Sequence, residues 1–430
     1  MSVSARSVGG ALADIVGRDR LHDHSTLTAA MAIDGRRPAW VARPRSIDAL
    51  AGVIALAAEE RLAVAPRGSG SSLELGFPPA RVDVVLDLSG LDEIPEYNPD
   101  DLTVTVHAGV TAGSLASRLA ARRQLLPVDP PGWRSRTLGG LAATGASGPR
   151  RLRHGTMRDL LLGVRFVQAD GVVTWGGAKV VKSVSGYDVP KLHVGALGTL
   201  GVLAELTLRL HPAPETEGTW LAAFGTAEAA GGFVAALLDS SIEPSRIEIL
   251  NAHVLRLAGE ETERVAVAVS IGSAEAAVRA QSEAMERLAR AAGGAVTSVG
   301  ADFWEVYAQT ARAGAVGLRV ATLPTAVIGA MREVERQAPA LVTGSVALGT
   351  LTVGLPAADV ETTRALVEGL RAFVADAGGS VVVERGPAAV REVIDPWGPV
   401  EPGALALMRS LRDEFDRGRV LNPGRFVGRL

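Results

Sequence analysis

Pro66-Arg67-Gly68-Ser69-Gly70-Ser71-Ser72 follows a short apolar run, residues 62–65, that reads as a strand. Small side chains let consecutive backbone N–H groups approach one another and wrap an anion, and a diphosphate is the natural guest. On this stretch alone an ordinary glycine–serine turn reads equally well. Two better-known phosphate motifs are excluded. A P-loop ends in Gly-Lys-Ser/Thr, and no such ending is present. A Rossmann fingerprint opens a helix and has an acid about 20 residues further on. Asp87 stands at that distance, but Gly76-Phe77-Pro78-Pro79 breaks any long helix between them. The sequence therefore argues against a nicotinamide enzyme.

Working outward, a second small-residue stretch is Thr137-Leu138-Gly139-Gly140-Leu141-Ala142-Ala143-Thr144-Gly145-Ala146-Ser147-Gly148. Nothing in it is bulkier than leucine, so a backbone here lies flat against a large planar ligand. An unliganded glycine-rich loop is the alternative. A third cluster is Gly195-Ala196-Leu197-Gly198-Thr199-Leu200-Gly201-Val202. Three such clusters suit a long ligand bearing both a diphosphate and a flat ring.

Around them, residues 44–212 alternate short apolar runs with helices. The spacing of Leu50, Val53, Ile54 and Ala57 predicts a helix over 47–61. Strands are expected at 82–88, 102–108, 160–169, 172–175 and 203–210, and a helix at 112–123. Asp170-Gly171 is a hairpin turn signal. Residues 212–218 read as a domain boundary. Beyond it, strands at 219–224, 246–250, 265–270, 317–321, 341–353 and 380–383 alternate with helices at 227–238, 274–292, 326–337 and 360–377. That order suits an antiparallel sheet of split-βαβ type. A closing helix spans 403–417. No internal repeat is legible.

The 430 residues are 47% hydrophobic with a net charge of −3. That balance gives no electrostatic argument for nucleic acid. No apolar run is long enough to span a membrane, and residues 1–14 lack the pattern of a secretory signal. Cysteine is absent, which excludes disulfides, cysteine-ligated iron–sulfur clusters and cysteinyl attachment of a cofactor within this chain. The three lysines, Lys179, Lys182 and Lys191, stand close together beside forty-one arginines. An arginine-biased genome and a local role for a compact charge are both open readings.

The three clusters, in this order, resemble the FAD domain of the vanillyl-alcohol-oxidase/PCMH flavoprotein superfamily. The likeness covers residues 38–212 and returns at 413–424. Val85-Leu86-Asp87-Leu88-Ser89 and Thr103-Val104-Thr105-Val106-His107-Ala108-Gly109-Val110 follow the family's order. Gly148-Pro149-Arg150-Arg151, Gly155-Thr156-Met157-Arg158-Asp159, Leu162-Gly163 and the stretch from Gly176-Gly177-Ala178-Lys179 to Gly186-Tyr187-Asp188 are similar to FAD-binding subunits of glycolate oxidase. So is the tail Leu421-Asn422-Pro423-Gly424-Arg425.

The resemblance implies an α+β fold: a PCMH-type FAD-binding domain of two α+β subdomains (38–213), an α+β cap with an antiparallel sheet (214–402), an N-terminal segment (1–37) and a C-terminal segment returning to the FAD domain (403–430). It implies that Pro66, Arg67, Gly68, Ser69, Gly70, Ser71 and Ser72 hold the pyrophosphate. Pro130, Pro131, Thr137, Leu138, Gly139, Gly140, Ala143, Thr144, Ser147 and Gly148 would line the flavin. Leu197, Gly198, Thr199, Leu200, Gly201, Val202 and Leu203 would contact the adenosine side through backbone groups, and Asn422 would reach back from the tail. Many relatives attach the flavin through a histidine in the pyrophosphate loop. None stands between Arg67 and Leu75, so the FAD is expected to be non-covalent. The family's usual asparagine before Gly-Tyr-Asp is replaced by serine at Ser183.

The implied function is that of a glycolate-oxidase-like subunit, assembled with a homologous catalytic flavoprotein and an iron–sulfur chain. The implied place is cytoplasmic, peripheral at the inner face of the cell membrane through those partners. A stand-alone FAD oxidase or dehydrogenase of a hydroxyacid or alcohol is the alternative, and a structural subunit with a vestigial flavin a third. Metal-assisted relatives carry paired histidines in the cap, whereas residues 216–400 hold only His253, too few ligands for a divalent site. His22 and His24 read as terminal-loop residues. Hydride removal from a hydroxyacid needs a base and a carboxylate anchor. Arg319 is the anchor candidate, and Tyr187, His193 and Glu205 are candidates for the proton. The cap shows no obvious base. Asp188 and Lys191 read as a simple pair, and Trp304 and Trp397 as packing residues.

Overall fold

In a computed structural model the chain is described at residues 5–23, 26–179, 187–258, 264–357 and 359–430. Ser183, Lys182 and His24 lie outside them. The first half is two small α+β units. In one, strands Trp40–Ala42, Val84–Asp87 and Val64–Arg67 run parallel, with Leu21–Asp23 antiparallel at the edge. Helix Ile47–Glu59 covers this sheet because Leu50, Val53, Ile54 and Ala57 fall on one face and are all buried. Burying each large aliphatic side chain contributes roughly 1.5–3 kcal/mol. Ser46 starts the helix, its hydroxyl accepting the Ala49 N–H at 3.1 Å. Helix Ala5–Val16 adds Val8, Leu12 and Val16 to the same core.

The second unit is a five-stranded antiparallel sheet in the order Glu96–Asn98, Thr103–His107, Val202–Arg209, Leu161–Val167, Val173–Gly177. Leu161–Val167 and Val173–Gly177 form the expected hairpin. Helices Ala112–Ala120 and Leu138–Thr144 share its apolar core.

The cap is an eight-stranded antiparallel sheet. Its first half contains strands Thr216–Phe224, Pro244–Leu250, Val265–Ser273 and Ala295–Val299, with helices Ala227–Leu238 and Glu275–Ala291. Its second half contains strands Val316–Ala321, Leu341–Ser345, Thr350–Leu355 and Ser380–Arg385, with helices Val327–Gln337 and Val360–Ala375. Within each half the spatial order is fourth, first, third, second, and the two second strands join the halves through Ile249↔Gly344. The cap is thus a split-βαβ unit occurring twice, although no repeat is visible in the residues. Strand topology depends on where apolar runs fall, not on which apolar residues fill them.

Two local expectations are corrected. Residues 341–353 are not one strand: the chain turns at Val346–Leu348 and Gly349, whose φ is +65°, and returns antiparallel to itself. Strand Ala295–Val299 and helices Phe303–Ala311 and Ala388–Val393 were not expected. The first two are partly exposed and carry weak apolar periodicity.

Candidate functional site

The strand Val64–Arg67 ends in the loop 68–72. Among the described residues, none of the backbone N–H groups of Ser69, Gly70, Ser71 and Ser72 donates to a protein acceptor. Such a run of free donors is a nest for an anion. The loop is held from behind by the C-terminal segment. Arg425 donates to the carbonyls of Leu73 and Leu75 at 2.6 and 2.7 Å. Asn422 takes the Val64 carbonyl on its backbone N–H at 2.8 Å and gives its side-chain amide to Leu197 O at 2.7 Å. Arg412, buried and paired with Asp416 at 3.0 Å, donates to the carbonyls of Thr199 and Leu421. Burial lowers the pKa of both Arg412 and Arg425 to about 10.

The second small-residue stretch is largely a helix rather than a flat loop. Thr137 caps Leu138–Thr144, accepting the Gly140 N–H at 3.3 Å, and Gly145 ends it at φ +59°. This divides the expected flavin-lining residues. Leu138 and Gly139 turn into the core; a Cβ on Gly139 would stand 2.6 Å from that of Ala108. Gly68 is small for a similar reason, since a Cβ there would collide with Thr137. By contrast, Gly140, Ala143 and Thr144 line the pocket formed by residues 66–73, with Leu197 and Asn422. In the third cluster Thr199, Val202 and Leu203 are buried in packing, so only backbone groups there could serve a ligand.

A larger cleft of ≈ 1220 Å³, open to solvent, lies between the FAD-domain half and the cap. Its FAD-side wall is Pro130, Pro131, Thr144, Ser147 and Gly148, and its cap wall includes Glu248, Tyr307, Arg312, Arg319, Ser345, Thr350 and Arg385. Ser71, Ser72 and Thr144 line both this cleft and the pyrophosphate-type pocket, so the two are one continuous groove. At their junction Arg136 is buried, with its terminal nitrogen 2.8 Å from Ser72 Oγ and its Nε without any partner. Burial lowers its pKa to about 10. A buried cation lacking a carboxylate, beside a nest of free N–H donors, fits an anionic cofactor. Arg136 directly precedes Thr137 and was missed, because a lone arginine carries no motif.

Of the catalytic candidates, Arg319 lines the cleft and pairs with Glu384 at 3.0 Å. Tyr187 is 93% exposed and His193 is 2% exposed, and neither lines the cleft. His193 packs at a tilt against Phe166, ring centroids 4.1 Å apart, and burial lowers its pKa to about 4. Glu205 is buried beside Arg165. Asp188 and Lys191 pair at 2.5 Å. Trp304 packs with Phe303 and Tyr307 while its N–H reaches Ser270 at 2.8 Å, and Trp397 packs on Phe426.

The cap wall carries a titratable pair that the sequence reading did not single out. Glu248, on strand Pro244–Leu250, accepts a 2.5 Å hydrogen bond from Tyr307 on helix Phe303–Ala311, and both line the cleft. Burial pushes Glu248 up to about 7 and Tyr307 well above its usual value. The two are 59 residues apart, so no spacing in the sequence joins them. Among the described residues no group of three or more histidines and acids could hold a metal ion, and no helix is long and apolar enough to cross a membrane.

Residues 38–177 match the family of the FAD binding domain, and residues 213–328 match the C-terminal domain of FAD linked oxidases. The chain is similar to the glycolate oxidase subunit GlcD of Bacillus subtilis, 33% identical over 218 residues, which are 51% of this chain and 46% of that protein. It is 33% identical to a probable mitochondrial D-lactate dehydrogenase of Danio rerio, over 57% of this chain and 48% of that one. It is 36% identical to the glycolate oxidase subunit GlcE of Escherichia coli, over 34% of this chain and 42% of that one. The matches thus span about half the length, or less, of these relatives. In fold the chain is similar to p-cresol methylhydroxylase, with a TM-score of 0.77 at 14% identity, covering 98% of this chain and 96% of that one. Alkyldihydroxyacetonephosphate synthase gives 0.74 at 15%, covering 98% and 85%.

Proposed function

We propose that this chain, which carries a PCMH-type FAD-binding domain followed by the C-terminal domain of FAD linked oxidases, holds one non-covalent FAD and serves in the oxidation of a 2-hydroxyacid. The observation that carries the reading is the continuous groove from the nest at residues 69–72, past Arg136, into the cap-walled cleft. The N–H groups of that nest would hold the diphosphate, and Arg136 would offset its charge. Pro130, Pro131, Thr144 and Ser147 would form the wall for the ring. When bound, the flavin supplies the two-electron acceptor. On the other side Arg319 would anchor a carboxylate, with Glu384 fixing its direction. Residues 38–213 would form the FAD-binding unit, 214–402 the cap and 403–430 the returning segment.

The same reading places the chain beside a homologous flavoprotein and an iron–sulfur chain in a glycolate-oxidase-like assembly, supported by its likeness to both GlcD and GlcE. Anaerobic mixing of the purified holoprotein with glycolate or D-lactate tests it, alone and with partner chains supplied. Bleaching of the flavin in either setting is expected. An oxidised spectrum that no 2-hydroxyacid changes in either setting would overturn the substrate class, and a purified chain that binds no FAD would overturn the whole reading.

A further inference from the structure

The cap wall holds a pair that the reading above leaves without a task. Glu248 and Tyr307 are 5% and 7% exposed, joined by the 2.5 Å bond, and both face the cleft opposite Pro130, Pro131 and Ser147. A buried carboxyl is costly unless paired or neutral. Tyr307 packs in a small core with Leu250, Val254 and Leu255, yet both side chains also line the cleft, where a ligand can meet them. The charges facing Glu248 come from three elements. Arg151, on helix Arg151–His154 of the FAD-binding half, and Arg246, on Glu248's own strand, favour its ionised form; Asp129, on the FAD-side loop, opposes it. Burial outweighs all of them, and the group titrates near neutrality instead of in the usual carboxylate range. Arg151 is itself tethered to Thr350 and to Ser147, 3.4 Å away. Asp129 is engaged by Arg246 at 2.9 Å and by the Arg150 N–H at 3.0 Å. Arg151, a cation, has no lone pair to accept a proton, and Asp129 is held in the ion pair with Arg246.

We infer that Glu248, through Tyr307, is the proton acceptor for the hydroxyl of the substrate bound in this cleft. The inference rests on the FAD-dependent reading of the same site. The substrate O–H gives its proton to Tyr307 Oη as the tyrosine proton passes to Glu248. As C=O forms, the carbinol C–H electron pair would leave as hydride, for which a bound flavin would be the two-electron acceptor. Glu248 afterwards returns the proton to solvent. The group works as a base only when ionised, so turnover rises with pH through the Glu248 titration near neutrality.

The test uses the FAD-loaded chain and its Glu248→Gln and Tyr307→Phe variants. Two readouts are followed: the rate of anaerobic flavin reduction by D-lactate or glycolate against pH, and proton exchange on binding oxalate, from calorimetry in buffers of different ionisation heat. Wild-type reduction is expected to rise between about pH 6 and 8, and Glu248→Gln to lose roughly 10²–10⁴-fold and the rise with it. Oxalate, adding negative charge beside Glu248, is expected to draw a fraction of a proton onto the wild type near pH 7.5 and none onto Glu248→Gln. Both variants should keep wild-type flavin content; if one fails to fold, the other decides. An unchanged pH profile, or unchanged proton uptake in Glu248→Gln, overturns the inference. Failure of every hydroxyacid to reduce the wild type strikes the substrate reading instead, and proton uptake with oxalate then still decides the inference.

Discussion

The FAD-side wall of the groove is drawn from short contiguous stretches, residues 66–72, 130–131 and 144–149, whose contribution is mostly small side chains and, at 69–72, free backbone donors. The cap wall takes Glu248, Tyr307, Arg319 and Arg385 from four separate elements, each an ordinary side chain in an ordinary pattern. One wall offers shape and N–H groups to a cofactor; the other offers charge and a titrating pair to whatever meets it. Backbone recognition compresses into a local glycine-rich motif. Side-chain recognition needs only that strands cross at the right place.

The comparison breaks first at Gly140. Gly140→Trp is expected to leave a soluble chain with flavin content near zero, because the nearest atom to a Cβ there is the Thr137 hydroxyl at 2.9 Å and the indole must enter the groove. Absorbance at the flavin band per mole of protein measures it; full occupancy would mean that the FAD-side wall is misplaced.

A smaller effect is expected where the two regions are bolted together. Arg391, fully buried on the cap side, pairs with Asp34 and donates to the carbonyls of Gly76 and Gly386, at 3.0 and 2.9 Å. Arg391→Met strands a buried carboxylate and should cost about 3–5 kcal/mol, read as a lowered urea midpoint. A midpoint within error of the wild type would show that the walls do not depend on this clamp.

His193 sharpens the contrast from inside the FAD-binding half. Its pKa is lowered to about 4 in the folded state by burial, so the unfolded chain binds the proton more tightly. Its stabilisation is present above about pH 6.5 and is lost as pH falls toward 4. Between pH 7 and pH 5, His193→Phe should remove about 2 kcal/mol of that acid sensitivity, leaving the part due to His154, whose pKa is likewise lowered to about 4. Chemical denaturation at pH 7 and pH 5 measures it, and an equal pH dependence in the variant would refute the assignment.

The smallest stability effect is expected at Arg319. Its pair with Glu384 is some 40% exposed on both sides, so Arg319→Gln should change stability by less than about 1 kcal/mol while weakening oxalate binding. Unchanged oxalate affinity would remove Arg319 as the carboxylate anchor.

The α+β order, the glycine–serine loop at 66–72 and the Asp170-Gly171 hairpin were legible, because each rests on neighbours in sequence: turn residues, apolar period, small-residue runs. The tail's return through Asn422 came only from the family resemblance, since no local pattern marks it. The helix at Leu138–Thr144 was read as a flat stretch because its two glycines mask the helical pattern, and only the Thr137 cap and the packing of Gly139 on Ala108 reveal it. The doubled cap escaped notice because its halves share strand order and not residues.

By itself, then, the sequence pointed to the segment at residues 66–72, four of whose N–H groups the fold leaves free, since that property needs only missing side chains within a few consecutive residues. The tertiary structure alone decided that Arg136 is a buried cation without a carboxylate, that His193 is sealed in the core, and that Glu248 meets Tyr307 in the cleft wall. Charge state and proton affinity depend on burial and on partners across tens to hundreds of residues, and no local pattern of residues encodes that environment.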